Sequence, residues 1–277
     1  QGGAGIVLDV DTGELKWHFQ FTPNDAYDYD SVQVPVLVDR EWRGEQRKLM
    51  LWANRNGYFY VLDRTNGKFL LGKPFVKVNW ASGLDDNGRP IPTPQPEGAA
   101  TYPGNQGGTN WYPPSYSPRT GLFYFSAWED YATIYAPLEQ EYEEGSAFLG
   151  GGFTVQTPVH GAPTIGIGRY TPINDWTDVV GYGSLKAIDP ETGDAKWTFD
   201  QFDVSDAGML TTASDLLFTG GREGYFYALD ARNGKELFKV NLGGQIVMAP
   251  VTFMVDGTQY VTVTSGNAMA TFAVRGK

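Results

Sequence analysis

The chain has 277 residues, a formal net charge of −11, 41% hydrophobic residues and 14% aromatic residues. This apolar content excludes a disordered chain, and the acidic charge argues against a general nucleic-acid binder. The chain contains no run of 18 apolar residues, so no membrane span is predicted. The absence of cysteine excludes disulfides and thiolate metal sites within the chain.

Short apolar runs follow one another along the chain, and turns of Gly, Asn, Asp and Pro separate them. The runs are rich in aromatic and β-branched residues and include 49–52, 58–62, 122–125, 216–219 and 260–263. Such runs are typical of short antiparallel strands. No segment has convincing amphipathic helical spacing, so the sequence predicts an all-β fold.

An internal repeat organises these strands. In four segments an Asp lies four residues before a Gly, and a large apolar residue lies four residues after it. The glycines are Gly13, Gly67, Gly193 and Gly234, and the apolar residues are Trp17, Leu71, Trp197 and Phe238. The Asp can cap a turn in which Gly takes a positive φ. We expect the apolar residues to pack between neighbouring units and not to stack on a cofactor.

Four-stranded units of this size predict a β-propeller, with four ordinary hairpins in a sandwich as the alternative. The interval of 126 residues between Gly67 and Gly193 leaves room for about two units with inserted loops. One such insertion, rich in Pro and Gly, spans 79–114. We expect residues 1–277 to form one propeller domain. Because the chain begins within a unit, we expect this domain to be a partial ring of about four to five blades.

The run 15–30, LKWHFQFTPNDAYDYD, resembles pyrroloquinoline quinone (PQQ)-dependent alcohol dehydrogenases. Segments that fit the same family follow in order at 54–64, 107–116 and 218–226. The resemblance implies an eight-bladed quinoprotein propeller with PQQ and a metal ion at its centre, of which this chain matches roughly the C-terminal half. The other half, which in that family supplies a metal-binding Glu and Asn, several PQQ contacts and a vicinal disulfide, has no counterpart in these residues.

Asp28 matches the family's catalytic Asp, which is assigned as the base and as a metal neighbour. Asp30 lies two residues later, and in a strand such residues point to the same face, so both carboxylates could bind one cation. The calcium-dependent methanol dehydrogenases have a small neutral residue at this position, whereas the lanthanide-dependent enzymes have Asp. The resemblance therefore favours a lanthanide ion over Ca²⁺, while an acidic turn without metal is the alternative reading.

The resemblance also implies the PQQ contacts. Arg55 matches an Arg at the quinone oxygens, and Asn110 with Trp111 matches a pair at the cofactor edge. Asn267 and Ala268 lie where the family's last contact falls, but the usual Gly-Gly pair is absent there. Zinc chemistry is not expected, because the only two histidines, His18 and His160, are far apart in sequence and no cysteine is present.

The expected function is that of a periplasmic quinoprotein alcohol dehydrogenase, or its C-terminal portion. It would oxidise primary alcohols to aldehydes by hydride transfer to metal-bound PQQ and pass electrons to a cytochrome c, which the acidic charge would attract. The missing half or a homo-oligomer would complete the ring. The alternatives are a non-catalytic propeller scaffold built from the same repeats and a sugar dehydrogenase of the wider quinoprotein class; the segment 110–114 resembles the alcohol group more closely.

Overall fold

The computed structural model describes residues 3–96, 99–137, 139–146, 151–152 and 181–273. These residues form 23 β-strands and contain no helix, which confirms the all-β prediction for the described part of the chain. None of the described segments is therefore a helix that could cross a membrane.

The described residues form eight antiparallel sheets, and five of them, labelled I to V here, follow one another along the chain. Sheet I contains β1 (Ala4–Leu8) and β2 (Leu15–Gln20). Sheet II contains β3 (Val36–Trp42), β4 (Glu45–Ala53), β5 (Tyr58–Asp63) and β6 (Phe69–Pro74).

The segment after β6 carries short strands outside these sheets. They are β7 (Ala81–Leu84), which pairs with β8 (Pro90–Pro92), and β9 (Ala100–Thr101). Sheet III then combines β10 (Ser115–Ser117) and β11 (Leu122–Glu129) with two later strands. Between them lie β12 (Thr133–Ile134), which pairs with β9, and β13 (Ala136–Pro137), which pairs with β14 (Gly151–Gly152).

Sheet III is completed by β15 (Tyr182–Ile188) and β16 (Ala195–Gln201). Sheet IV contains β17 (Leu210–Thr211), β18 (Leu216–Gly220), β19 (Tyr225–Asp230) and β20 (Glu236–Asn241). Sheet V contains β21 (Val251–Val255), β22 (Thr258–Ser265) and β23 (Ala268–Ala273).

Each sheet packs against the next one along the chain. Sheets I and II share an aromatic core in which the rings of Phe21 and Trp52 are 4.7 Å apart. Phe59 of sheet II lies 5.4 Å from Phe123 of sheet III. Leucines and tyrosines join sheets III and IV, and aromatic and aliphatic residues join sheets IV and V. Consecutive face-to-face packing of four-stranded sheets is the arrangement of propeller blades, as the repeat predicts.

The residues at the apolar repeat position dock on the next sheet. The Trp17 indole donates to the Arg64 carbonyl at 3.0 Å, and a Cβ at Gly67 would lie 2.5 Å from the Trp17 ring. Similar contacts join Leu71 to Gly193, Trp197 to Gly234 and Phe238 to Phe272. Glycine is therefore required at the turn for room as well as for its positive φ. The predicted packing between units is confirmed.

The estimate of two units between Gly67 and Gly193 is wrong for the described residues. They form one four-stranded sheet, sheet III, in this interval. The additional length lies in the 79–114 insertion and in the long connection between β11 and β15, which leaves the sheet and returns to it.

The sheet topology brings particular loops to one end of the molecule. Val36, the first residue of β3, pairs with Leu51 near the end of β4, and Ala53 at that end pairs with Phe59 of β5. The β2–β3 loop and the β4–β5 turn therefore lie at the same end of sheet II. The β16–β17 loop and the β18–β19 turn have the same relation to sheet IV.

Candidate active site

Asp28 and Arg55 are in contact at the end of sheet II that carries the β2–β3 loop and the β4–β5 turn. Asp28 lies in the β2–β3 loop and Arg55 in the β4–β5 turn. The Arg55 Nη2 donates to Asp28 Oδ2 at 2.9 Å. Two of the residues expected in the site are thus in direct contact, although 27 positions separate them.

Arg55 is buried and its side chain is fixed from one side. Its Nε and Nη2 both donate to the Asn105 carbonyl, at 2.9 and 2.6 Å. Its Nη1 donates to none of the described residues. A guanidinium held in this way is pre-organised to bind an oxygen anion or a carbonyl.

The neighbouring chain segment passes very close to Arg55. A Cβ at Gly107 would lie 2.2 Å from Arg55 Cγ and 2.5 Å from the Arg55 carbonyl oxygen, and Gly107 has a φ of 81°. The Gly108 N–H donates to that carbonyl at 3.0 Å. Only glycine permits this approach, which connects the Asn110 loop to the Asp28–Arg55 pair.

Asp28 is the accessible member of the pair. Its side chain is 49% exposed, whereas that of Arg55 is 9% exposed. Partial burial raises the pKa of Asp28 above its usual value; the positive charge of Arg55 opposes this effect, and the negative charge of Asp30 adds to it. Its backbone has a φ of 65°, a left-handed conformation that Asp tolerates better than most residues.

Asp30 is exposed, and Tyr29 between the two aspartates is fully buried. The expectation that Asp28 and Asp30 belong to a strand is wrong, because β3 begins only at Val36 and Asp28 is left-handed. The alternation of exposure nevertheless leaves both carboxylates on the solvent side. Among the described residues, no cluster of three or more His, Cys, Asp or Glu side chains that could hold a metal ion is present.

The two carboxylates fit a hard cation by donor type. Calcium takes six to eight oxygen ligands, and Asp28 and Asp30 can supply only part of such a shell. The residues are therefore compatible with one edge of a metal site and do not form a complete one.

The half-buried Asp25 and the buried Tyr29 hold the Asp28 loop in place. The Asp25 carboxylate accepts the N–H groups of Tyr27 and Tyr29, at 2.8 and 2.6 Å. The Tyr29 hydroxyl donates to the Pro103 carbonyl. Burial raises the pKa of Asp25, although the two N–H groups oppose the shift.

Asn110 and Trp111 lie in the loop that passes over Arg55. Asn110 is buried, its amide donates to the Gln106 carbonyl at 2.9 Å, and its Oδ1 accepts the Trp111 N–H at 2.9 Å. The side chain thus shapes its own loop, and one of its two amide hydrogens donates to none of the described residues. Trp111 is half-buried and packs against an aromatic cluster that contains Tyr112 and Trp128.

Asn267 lies in the β22–β23 turn, Ala268 is the first residue of β23, and both are exposed. This turn has the same position in sheet V as the Arg55 turn has in sheet II. Among the described residues, no hydrogen bond joins Asn267 or Ala268 to Asp28, Asp30, Arg55 or Asn110, so their role stays a prediction. His160 lies outside the described residues.

Sequence reasoning missed several residues that build the site. Asn105 contributes a backbone carbonyl, which carries no sequence signal. Tyr135 comes from the connection after β11, and its hydroxyl donates to the Tyr27 carbonyl at 2.8 Å. Burial raises the pKa of Tyr135 well above the ordinary tyrosine value, with the charges of Asp25 and Asp28 adding to the shift, so it remains a neutral donor.

Two sequence families match parts of this chain. Residues 2–82 match the β-propeller domain of glucose, ethanol and alcohol dehydrogenases, which use PQQ. Residues 181–276 match the outer membrane protein assembly factor BamB family.

Individual relatives match nearly the whole chain. It is 38% identical over 273 residues to the quinoprotein alcohol dehydrogenase PedH of Pseudomonas putida, which covers 94% of this chain and 42% of the relative. It is also 38% identical over 270 residues to a 1-butanol dehydrogenase (cytochrome c) of Thauera butanivorans, covering 94% and 37%. The chain spans about two fifths of the length of the curated relatives that it matches.

Solved structures agree with these matches. A quinohemoprotein alcohol dehydrogenase from Pseudomonas putida HK5 superposes with a TM-score of 0.83 at 31% identity, over 97% of this chain and 39% of that one. A europium-containing methanol dehydrogenase superposes with a TM-score of 0.78 at 30% identity, over 94% and 44%.

Proposed function

We propose that this chain, a homologue of the quinoprotein alcohol dehydrogenases over 94% of its length, carries the proton-accepting part of an alcohol-oxidising site. The observation that carries the proposal is the contact between an accessible Asp28 and a buried Arg55. The substrate is a primary alcohol, the product is the aldehyde, and PQQ is the cofactor.

Asp28 takes the hydroxyl proton of the alcohol. Its Oδ2 is fixed by Arg55, while its Oδ1 accepts no hydrogen bond from a described residue and faces the substrate in this proposal. The raised pKa makes Asp28 a stronger base than an ordinary aspartate. Arg55 keeps the carboxylate oriented before and after the proton moves.

The available donors of the site suit an anionic quinone. Arg55 Nη1 and the remaining amide hydrogen of Asn110 can donate to cofactor oxygens, and Trp111 can pack on its ring or donate its indole N–H. Asn267 and Ala268 are weaker candidates on the same end of the sheets. When bound, PQQ supplies the quinone that accepts the hydride from the alcohol carbon, and a metal ion polarises that quinone.

Asp28 and Asp30 are the proposed metal ligands. With Arg55 they give this edge of the site a net negative charge, which a cation would balance. A second carboxylate at Asp30 favours a trivalent lanthanide ion over Ca²⁺, and the similarity to a europium-containing methanol dehydrogenase supports the same choice. The remaining ligands must come from groups other than these two carboxylates.

The proposed location is the periplasm, and the proposed electron acceptor is a cytochrome c. The named relative from Thauera butanivorans is a cytochrome c-linked 1-butanol dehydrogenase. The net charge of −11 suits a basic protein partner, because opposite charges accelerate association.

The second candidate function is a non-catalytic propeller scaffold. The match of residues 181–276 to the BamB family favours it. A scaffold gives no reason for a buried guanidinium fixed on Asn105 and aimed at an accessible carboxylate, so we favour the enzyme.

The deciding experiment is a titration of the chain with PQQ plus La³⁺, and separately with PQQ plus Ca²⁺. Quinone absorbance reports binding, and dye-linked oxidation of ethanol reports turnover. Turnover that disappears in Asp28→Asn and persists in the control Asp86→Asn supports the proposal. Absence of PQQ binding with either metal would contradict it for this chain and favour the scaffold.

A further inference from the structure

The Asp25 carboxylate encloses the backbone around Asp28. Oδ1 accepts the N–H of Tyr27, and Oδ2 accepts the N–H of Tyr29, which belongs to the peptide that directly follows Asp28. The carboxylate therefore ties down the chain on both sides of the left-handed residue.

Asp28 needs such support, because it lies in a loop without strand hydrogen bonds and has a φ of 65°. A left-handed residue costs about 1–2 kcal/mol relative to the right-handed conformation, so surrounding contacts must hold it. If the peptide after Asp28 rotated, the direction of the Asp28 side chain would change with it, and the 2.9 Å contact with Arg55 would be lost.

We propose that Asp25 is a positioning residue for alcohol oxidation, which holds the Asp28 carboxylate in its proton-accepting orientation through the N–H groups of Tyr27 and Tyr29. This inference rests on the proposed function of Asp28. Asp25 contacts neither substrate nor cofactor in this proposal and acts through the backbone.

The chain contains a matched control for this arrangement. Asp85, in the β7–β8 hairpin, accepts the N–H groups of Asn87 and Arg89, at 2.8 and 2.9 Å. Both aspartates therefore bind the N–H groups two and four residues later. Asp85 lies beside Gly67 and Phe69, at the end of sheet II opposite to the Arg55 turn, so removal of its carboxylate has the same kind of local cost without the functional one.

The test compares Asp25→Asn, Asp25→Ala and Asp85→Ala in the PQQ- and metal-loaded chain. Asn keeps one acceptor and Ala keeps none, so we expect kcat to fall about 10-fold and about 100-fold, respectively, because small misplacements of a reacting group are costly. We expect KM and the Kd for PQQ to stay within about threefold of wild type, since no hydrogen bond between described residues joins Asp25 to Arg55 or Asn110. Asp85→Ala should leave kcat unchanged.

A second measurement follows the backbone without turnover. Amide hydrogen exchange should accelerate at Tyr27 and Tyr29 in the two Asp25 variants, and at Asn87 and Arg89 in Asp85→Ala. Wild-type kcat in Asp25→Ala, or equal losses of kcat and PQQ affinity, would overturn the positioning role while the proposed function stands. A wild-type chain that binds PQQ and metal but oxidises no alcohol would overturn the proposed function first and this inference with it.

Discussion

Arg222 and Arg55 occupy the same turn of two sheets, and each donates to an aspartate from the preceding loop. Arg222 Nη2 lies 2.8 Å from Asp206 Oδ2, and Arg55 Nη2 lies 2.9 Å from Asp28 Oδ2. The two pairs differ in access: the Arg222 and Asp206 side chains are 1% and 5% exposed, whereas that of Asp28 is 49% exposed. The repeat thus produces one buried pair that joins the loops of sheet IV and one accessible pair that can meet a substrate.

Asp28→Asn should abolish most alcohol oxidation and preserve the fold. Asn tolerates the left-handed backbone and can still accept from Arg55, but it cannot take a proton. We expect the rate to fall by about 10²–10⁴-fold, the usual contribution of a general base. Dye-linked turnover and thermal unfolding check this pair of outcomes, and a variant with wild-type turnover would remove Asp28 from the mechanism.

Asp30→Ala should reduce La³⁺-supported activity more than Ca²⁺-supported activity. The second carboxylate matters most for the ion of higher charge, since ligand charge count tunes the affinity of oxygen sites. The measurement is turnover against metal concentration for both ions, with the exposed Asp86→Ala as the control. Equal losses with the two ions would contradict the trivalent site.

Gly107→Ala should destabilise the chain and weaken PQQ binding together. The new methyl group would meet Arg55 at 2.2 Å from Cγ and would occupy a residue with positive φ. We expect a loss of about 1–3 kcal/mol in the free energy of unfolding. Gly13→Ala is the control, because Gly13 also has a positive φ but its added Cβ would meet nothing within 4 Å. Identical effects of the two substitutions on PQQ affinity would contradict the close approach.

Asp203→Asn should stabilise the protein at neutral pH. Asp203 is buried, its Oδ2 accepts no hydrogen bond from a described residue, and burial raises its pKa to about 6. A carboxyl whose folded pKa exceeds its unfolded value of 3.8 favours folding while it is protonated and opposes folding once it is ionised. The gain in Asp203→Asn should therefore be absent below about pH 4 and reach up to about 3 kcal/mol above pH 6.

Denaturant unfolding between pH 2 and pH 8 measures this difference. Asp215→Asn is the matched control of opposite sign, because the hydrogen bond from Arg119 lowers the pKa of Asp215. Asp215→Asn should lower the free energy of unfolding above the pKa that Asp215 has in the unfolded chain. This loss should vanish as the pH falls through the lower pKa of Asp215 in the folded protein. If the free energies of unfolding of Asp203→Asn and wild type differed by the same amount at every pH, ionised Asp203 would not be an unfavourable buried charge.

The sequence repeat was sufficient to predict the sheets, because its Asp, Gly and apolar residue each have a local geometric role. Asp28 and Arg55 were found only through family resemblance, since their contact depends on two loops that the fold brings together. The strand argument for Asp28 and Asp30 was wrong, because spacing by two residues does not reveal a left-handed backbone between them. The role of Asn105 could not be predicted from the sequence, since any residue can supply a backbone carbonyl.

The docking of Trp17 on the Gly67 turn, repeated by Leu71 on Gly193 and Trp197 on Gly234, has a consequence for how such chains change over time. Each interface contains one apolar residue of the earlier sheet and one glycine turn of the later sheet. Every complete unit therefore carries both the apolar residue and the turn. Duplication or loss of a whole unit leaves matching partners at the new junction. A change that removes the turn but keeps the apolar residue, by contrast, leaves that residue with no turn of the next sheet to pack against.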